Sequence, residues 1–555
     1  MTSPIPATSL MPARTGGKIL IDQLIAQGVE RITCVPGESY LAALDAMHGC
    51  PIDVLVCRAE GGAAMMAEAY GKLTGRPGVC FVTRGPGATN ASPGVHIAMQ
   101  DSTPMILFIG QVGRDMRERE AFQEVDYKAV FGTMCKWVVE IDRADRIPEL
   151  VARAFHVAMQ GRPGPVVIAL PEDMLVEPAS VADAPRVDPT LGWPAPADLE
   201  RLAGLLGQAR APIAVIGGSG WSAAACAQFA AFAERFGLPV ATTFRRTSLF
   251  DALHPNYAGE LGIGPDARLK KRLLDADLVL LVGGRFGEMP SSSYTILEVP
   301  CPRQALVHVH PGAEEIGRVY QPVLGIQASP QSFCAALADL PAPLQQRTAL
   351  VETAHRDYLD WSETARQLPG EFQYGEAMVW LRERLPRDAV VCNGAGNYAG
   401  WIHRHYRYRD FATQLAPTCG SMGYGVPAAI LAKRHYPERM VVGFAGDGCF
   451  LMNGQDFATA VQYNIAVILI VIDNGRLGTI RMHQDREYPG RAVATQLQNP
   501  DFADYARAFG GHGERVVRTA EFAPAFERAL ASGKPAILHC LLDARAQSHA
   551  KDGPA

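Results

Sequence analysis

Val441 to Gly475 reads VVGFAGDGCFLMNGQDFATAVQYNIAVILIVIDNG, and both ends carry one signature, a Val/Ile-rich run that closes on glycine and an acidic residue. Short apolar runs of this kind, bounded by glycine, are how strands buried on both faces of a sheet look. Between them, GQDFATAVQYN has apolar residues at helical spacing, so the stretch reads as strand, helix, strand, with the helix starting near Gly454. In such a unit the strands run parallel and their carboxyl ends open on one edge, where ligands of open α/β sheets bind. Asp447 and Asn474 are therefore expected to point into one crevice.

The rest of the chain extends this pattern. Its 555 residues are too many for one hydrophobic core and suggest about three domains. An apolar content of 48%, a charged content of 20% and a net charge of -5 describe an ordinary globular protein without the basic excess that nucleic acid requires. The 12 cysteines include no CxxC pair, and several sit inside strand-like runs as small hydrophobes, which fits a reducing cytoplasm. The N-terminal MTSPIPATSLMPARTGG has no apolar core of signal-peptide length, and no segment offers about 18 uncharged apolar residues, so neither secretion nor a membrane location is expected.

The expected fold class is α/β, with three doubly wound parallel-sheet domains at residues 12–172, 196–340 and 370–545. Strand-like runs (RITCVPG, IDVLVCRAE, GVCFVTRGPG, PMILFIG, GPVVIALP) alternate with helical stretches in the first domain. The second pattern starts at APIAVIGGSG and ends near ALVHVHPG, and the third runs from AVVCNGAGN to PAILHCLL. Residues 171–198, rich in proline, read as a linker, residues 340–369 as a polar helical connection, and the closing ARAQSHAKDGPA as disordered.

At the crevice, one Asp and one Asn at neighbouring strand ends suit Mg²⁺, which keeps octahedral geometry and takes few protein ligands while phosphate oxygens fill other positions. The glycines flanking Asp447 let a diphosphate approach the backbone, and a following helix directs its positive end to the same edge. The plainer reading of GDG and DNG is a pair of tight turns. Their occurrence together, about two dozen residues apart, favours a phosphate-bearing cofactor.

GDG followed at that distance by a pair ending in Asn resembles the diphosphate-binding motif of thiamine-diphosphate enzymes. Over nearly the whole chain the three-domain order resembles the acetohydroxyacid/acetolactate synthase and pyruvate oxidase group. The resemblance implies a pyrimidine-binding first domain, a central Rossmann-like domain and a diphosphate-binding third domain, with thiamine diphosphate and Mg²⁺ as cofactors. It makes the Asp447 and Asn474 side chains and the Arg476 carbonyl the metal ligands, and Gly446, Gly448 and Cys449 neighbours of the diphosphate. Asp473 replaces the first Asn of the usual pair, and Cys449 replaces a frequent Ser, removing a hydroxyl. GAGNY, with Gly394, Gly396, Asn397 and Tyr398, is similar to the family's other diphosphate loop.

CRAEGGAAMMAEAYGKLTGRPGVCFVTRGPGATN resembles the family's pyrimidine-binding segment, in which the Glu, here Glu60, hydrogen-bonds the aminopyrimidine N1′. Proton sharing there drives the 4′-amino group toward the imino form that removes the thiazolium C2 proton. The plainer reading of Glu60 is an acidic residue favoured at a helix start. PTCGSMGYGVPAAI resembles the segment whose Met, here Met422, props the cofactor in its bent shape, with the Gly420 carbonyl accepting from the 4′-amino group. AFQEVD resembles the synthase segment whose Phe and Gln, here Phe122 and Gln123, line the substrate side of the thiazolium. VPGE, Val35 to Glu38, matches a loop over the same site, with Glu38 in place of a glycine.

Two departures matter. Where branched-chain synthases carry a Trp that selects the larger second ketoacid, NGRLGTIRMHQ places His483, which either bonds a polar acceptor, acts as an acid-base group, or fills space. In GGRFGEMPSSSY, Arg285 remains but the second Arg of the flavin-binding synthases is missing, so FAD is left in doubt. The function implied is decarboxylation of a 2-ketoacid such as pyruvate with ligation to a second carbonyl, acetolactate synthase-like. The alternatives are a non-oxidative decarboxylase, a hydroxyketone or 2-hydroxyacyl-CoA lyase, and a catalytically silent cofactor-binding paralogue. The resemblance also implies a homodimer or homotetramer with each active site between subunits.

Overall fold

The computed structural model describes residues 12–342 and 347–549. Three six-stranded sheets follow one another along the chain, each parallel throughout and layered with helices. This is the expected α/β architecture of three parallel-sheet domains.

With the six strands of each sheet numbered in chain order, the first and third sheets share the order 2-1-3-4-6-5, whereas the central sheet has 3-2-1-4-5-6. A crevice opens outside the strand carboxyl ends where such an order reverses. In the third sheet that point lies between Val390–Asn393 and Val441–Gly446, so Gly394 and Asp447 leave the sheet side by side. Ile468–Asp473 is the next strand over, with Gly446 in register with Ile472, which brings the DNG turn beside GDG. In the central sheet the reversal lies between Pro212–Ile216 and Leu278–Val282. There Gly218 is needed for close approach, since a Cβ on it would come 1.8 Å from the Gly283 carbonyl oxygen.

One face of the first domain shares a continuous buried apolar core with the third domain, while its other face packs a separate core of its own. The Glu60–Thr74 helix lies inside the shared core and is buried on most sides, as its sequence of Ala, Gly and Met around the whole circumference requires. Gly62 lets the third domain approach: a Cβ there would sit 1.7 Å from Asp456 Oδ2, and Asp456 Oδ1 accepts the Arg58 N–H at 2.8 Å. The central domain keeps its own core and joins the others through polar contacts, among them Arg162 with Glu315 at 2.9 Å and Arg285 Nη2 with the Gln100 carbonyl at 2.6 Å.

Three local expectations are corrected. The helix after Val441–Gly446 begins at Asp447, not near Gly454: Asp447–Asn453 is helical and Gly454–Asp456 is a tighter turn that leads into Phe457–Gln462. An acidic residue in the first turn is favoured by the helix dipole, which the turn reading of GDG overlooked. The linker is partly structured, with a Glu172–Val176 helix and a Pro178–Ala179 strand paired to Arg14–Thr15. Pro178 fits in this ribbon because the bond there is made by the Glu177 carbonyl, which accepts the Gly16 N–H, and asks no donor of proline.

The third correction concerns the closing segment, which docks through His549 instead of lying free. The Gln547 carbonyl accepts from Asn397 Nδ2 at 2.8 Å and the His549 carbonyl from Arg404 Nη1 at 2.8 Å. The His549 ring lies against Trp361 and Trp401, in space that exists because residue 400 is glycine: a Cβ there would sit 2.3 Å from His549 Nδ1. Residues 550–555 of the same expectation lie outside the described residues. Among the described residues no helix is long and apolar enough to cross a membrane.

Candidate active site

At the reversal point of the third sheet, Asp447 opens its helix and is buried. Its Oδ2 accepts from Asn499 Nδ2 at 2.8 Å, and the same nitrogen donates to Asp473 Oδ1 at 2.9 Å. Asp473 also accepts from the Gly475 N–H at 2.9 Å and from His539 Nε2 at 2.9 Å. His539 thus faces Asp473 through Nε2, while its Nδ1 lies 3.2 Å from the Phe502 backbone nitrogen and 3.4 Å from Asp501 Oδ1.

Burial pushes the Asp447 carboxyl up to about 6, and the Asp473 carboxylate adds to this against the pull of the Asn499 bond. Asp473 moves the other way: burial raises it, but the bonds from His539, the Gly475 N–H and Asn499 outweigh burial. Among the described residues Asp447 makes no ion pair, whereas Asp473 faces the His539 ring. Asn474 is turned into the neighbouring loop, its Oδ1 accepting the Arg476 N–H at 3.2 Å.

Two segments wall this corner. In Gly394–Tyr398 the Tyr398 hydroxyl is buried and accepts the Gly394 N–H at 3.0 Å, so the side chain props the loop from beneath. Cys449 is also turned inward, its Sγ accepting the Gly423 N–H at 3.2 Å. Gly423 belongs to the second segment, residues 416–424, which places Met422 over Gly448: a Cβ on Gly448 would lie 3.8 Å from Met422 Cε. Gly420 stands exposed on this segment with φ +71.

In the first domain Glu60 opens its helix, and its Oε2 accepts from Asn90 Nδ2 at 3.2 Å. Gln123 has φ +63 and packs on the start of the Gly85–Asp101 helix, where a Cβ on Gly85 would come 2.9 Å from the Gln123 carbonyl oxygen. Phe122 is 70% exposed, with the Arg84 guanidinium 6.0 Å from its ring. Arg84 also pairs with Glu38 at 3.4 Å, so the extra charge of the VPGE loop is met within the chain. Among the described residues no hydrogen bond links Glu60, Phe122 or Gln123 to the third domain of the same chain.

A crevice of about 930 Å³ lies where the three domains meet. Of the residues singled out in the sequence, Gly396, Asn397, Gly420, His483 and Arg285 line it. His483 sits on the Gly478–Glu487 helix and accepts from Arg486 Nη2 at 2.9 Å through Nδ1, which leaves the proton on Nε2. The chain thus holds a metal-like corner, a cofactor-sized crevice and a separate exposed wall in the first domain.

Three family models match in order: thiamine pyrophosphate enzyme, N-terminal TPP binding domain over residues 14–130, central domain over 199–337, and C-terminal TPP binding domain over 394–540. The chain belongs to the thiamine pyrophosphate enzymes.

Within them its similarity is to acetolactate synthases. It is 30% identical over 544 residues to the acetolactate synthase isozyme 2 large subunit of Escherichia coli, covering 95% of each chain. It is 33% identical over 529 residues to the acetolactate synthase large subunit of Parasynechococcus marenigrum, covering 90% of this chain and 83% of the relative. It is 31% identical over 575 residues to the chloroplastic acetolactate synthase 2 of Zea mays, covering 97% and 88%. The protein is therefore a thiamine-diphosphate-dependent enzyme of the acetolactate synthase type.

The corner around Asp447 fits the metal and diphosphate of such an enzyme. Among the described residues no Lys or Arg pairs with either carboxylate, and position 448 has room only for glycine, since a Cβ there would meet Leu477 Cδ2 at 2.8 Å. Asn499 and His539, which organise the two carboxylates, escaped sequence reasoning. Asn499 lies 52 positions from Asp447 and 26 from Asp473, and His539 lies 66 from Asp473, with the QNPD turn before the helix at Phe502 as a local signal.

Proposed function

We propose that this enzyme decarboxylates a 2-ketoacid of the pyruvate class and joins the remaining fragment to a second carbonyl compound, using thiamine diphosphate and Mg²⁺. The observation that carries the metal assignment is the buried, cation-poor Asp447–Asn499–Asp473 arrangement at the sheet's reversal point. Asp447, the Asn474 side chain and the Arg476 carbonyl would hold Mg²⁺ against the diphosphate, beside Gly446, Gly448 and the Gly394–Tyr398 loop. When bound, thiamine diphosphate supplies a carbon that adds to a carbonyl and accepts the electron pair released with CO₂.

The chain's residues supply position and protons. Glu60 would hold a proton at the aminopyrimidine N1′, Met422 would prop the ring from below, and the Gly420 carbonyl would accept from the amino group. Phe122 and Gln123 would exclude water from the substrate side. Phe122 is 70% exposed, which supports reading it and Glu60 as facing a second copy in a homodimer or homotetramer. His483 would face the second carbonyl compound and present its Nε2 proton. FAD is left out of the proposed steps, since GGRFGEMPSSSY keeps Arg285 without the second Arg of the flavin-binding synthases.

Incubating the protein with a panel of 2-ketoacids, thiamine diphosphate and Mg²⁺, and identifying products by mass, tests the proposal. Pyruvate should give a product equal to two pyruvates less CO₂. Free aldehyde alone would mark a simple decarboxylase and overturn the ligation.

A further inference from the structure

Three charged side chains buried between the first and third domains have been given no role so far, although one of them, Asp101, lines the crevice. Glu68 and Lys72 stand on the Glu60–Thr74 helix, and Asp101 ends the Gly85–Asp101 helix. Lys72 Nζ lies 2.5 Å from Asp101 Oδ2 and 3.1 Å from Glu68 Oε1. All three reach one segment of the third domain, residues 416–424. Lys72 donates to the Ala416 carbonyl at 3.0 Å. Asp101 accepts the Thr418 N–H at 2.9 and 3.1 Å and its hydroxyl at 2.5 Å. At the far end, the Tyr424 hydroxyl donates to Glu68 Oε2 at 2.5 Å, while Thr103 takes the other Glu68 oxygen at 2.7 Å.

The residues between these anchors need holding. Residues 419–423 form no helix or strand and include two glycines in the left-handed region, Gly420 at φ +71 and Gly423 at φ +82. Gly423 in turn rests on the GDG helix, through Cys449 Sγ and through its carbonyl, which accepts from Asn453 Nδ2 at 3.1 Å. If adhesion between domains were all that was required, apolar side chains would serve as well or better, because desolvating three charges offsets much of their mutual attraction. What charges add is direction: charge-assisted bonds fix named backbone atoms, here at both ends of one loop.

We propose that Glu68, Lys72 and Asp101 are positioning residues that clamp both ends of the 416–424 loop and thereby hold Gly420 and Met422 in the geometry that the bound cofactor requires. The inference rests on the proposed function for what the loop holds. It also means that the helix beginning at Glu60 acts at both ends, with its first residue toward cofactor chemistry and its later turns on the loop.

Asp101→Asn is the direct test, with Asp53→Asn as control. Asp53 also ties the first domain to the third, bonding Arg434 at 2.9 Å and Arg31 at 2.8 Å, but touches no part of the loop. In cofactor-free protein, Asp101→Asn should speed amide exchange of residues 418–423, lower thiamine diphosphate affinity at least tenfold by calorimetry, and slow C2-proton exchange of saturating cofactor at least tenfold. Asp53→Asn should lower the melting temperature and change none of these. Thr418→Val, which removes one bond and no charge, should shift the three readings in the same direction by less, and it serves if Asp101→Asn fails to fold. Behaviour of Asp101→Asn and Thr418→Val like that of Asp53→Asn overturns the clamp. Wild-type protein that binds no thiamine diphosphate would instead sink the proposed function, and the clamp's purpose with it.

Discussion

Asp447 and Asp473 share one donor, the Asn499 Nδ2, at 2.8 Å from the first and 2.9 Å from the second. Asp473 has further donors in His539 and the Gly475 N–H, whereas Asp447 is buried with less compensation. Removing the Asp447 charge should therefore relieve the metal-free protein. Asp447→Asn is expected to raise its melting temperature by about 2–4 °C, the shift that roughly 1 kcal/mol gives in a domain of this size. Scanning calorimetry without Mg²⁺ checks it; a lower melting temperature would mean that the carboxylate contributes more by hydrogen bonding than it loses by burial.

Glu60 stands at a helix start with its carboxylate on Asn90, a geometry that serves either a proton-sharing or a capping role. Glu60→Gln keeps the size and the Asn90 contact. If Glu60 shares a proton with the cofactor, the variant should bind thiamine diphosphate yet exchange its C2 proton about a hundredfold more slowly, within the usual range for an acid-base group. Wild-type exchange, followed by NMR of the quenched cofactor, would leave Glu60 with only its place in the helix.

His549 latches the closing segment beside the crevice. Burial first, and then the charges of Arg404 and His405, hold its pKa down from 6.5 to about 4. Because the docked ring resists protonation, docking is complete above pH 6.5 and is lost as pH falls toward 4. Trp361 and Trp401 touch the ring, so tryptophan fluorescence should change across that window and His549→Phe should remove the change. A flat wild-type profile would show that His549 is not the latch.

Much of this architecture is legible in the sequence, for a physical reason. Strands buried on both faces must be continuous runs of Val and Ile, and strand ends at a ligand edge need glycine, so GDG and DNG declare both the sheet and its edge. What stays hidden is whatever depends on distant residues meeting. Nothing near Asp447 announces Asn499, and nothing near Asp473 announces His539. The tail reads as polar and disordered because the vacancy it fills is created by glycine at position 400. The first and third sheets share one strand order, and topology constrains where strands lie and not which apolar residues fill them.

By the resemblance, His483 takes the position where branched-chain synthases carry a Trp. If it faces the second carbonyl compound, the chain should show little preference for 2-ketobutyrate over pyruvate, since one methylene in an apolar pocket is worth only about 1–3 kcal/mol even when well packed. His483→Trp should raise that preference, and His483→Ala should change the product ratio more than the rate of decarboxylation. Competition experiments with both ketoacids decide it. Unchanged ratios in both variants would place His483 outside the site.

Calorimetric titration of thiamine diphosphate into metal-stripped protein, with and without Mg²⁺, reaches the central claim most directly. Wild type should bind tightly only when Mg²⁺ is present, and Asp447→Ala should lose that metal-dependent binding while remaining folded by circular dichroism. Equal thiamine diphosphate affinity in wild type and Asp447→Ala, or binding indifferent to Mg²⁺, would contradict the assignment of this corner as the metal and diphosphate site.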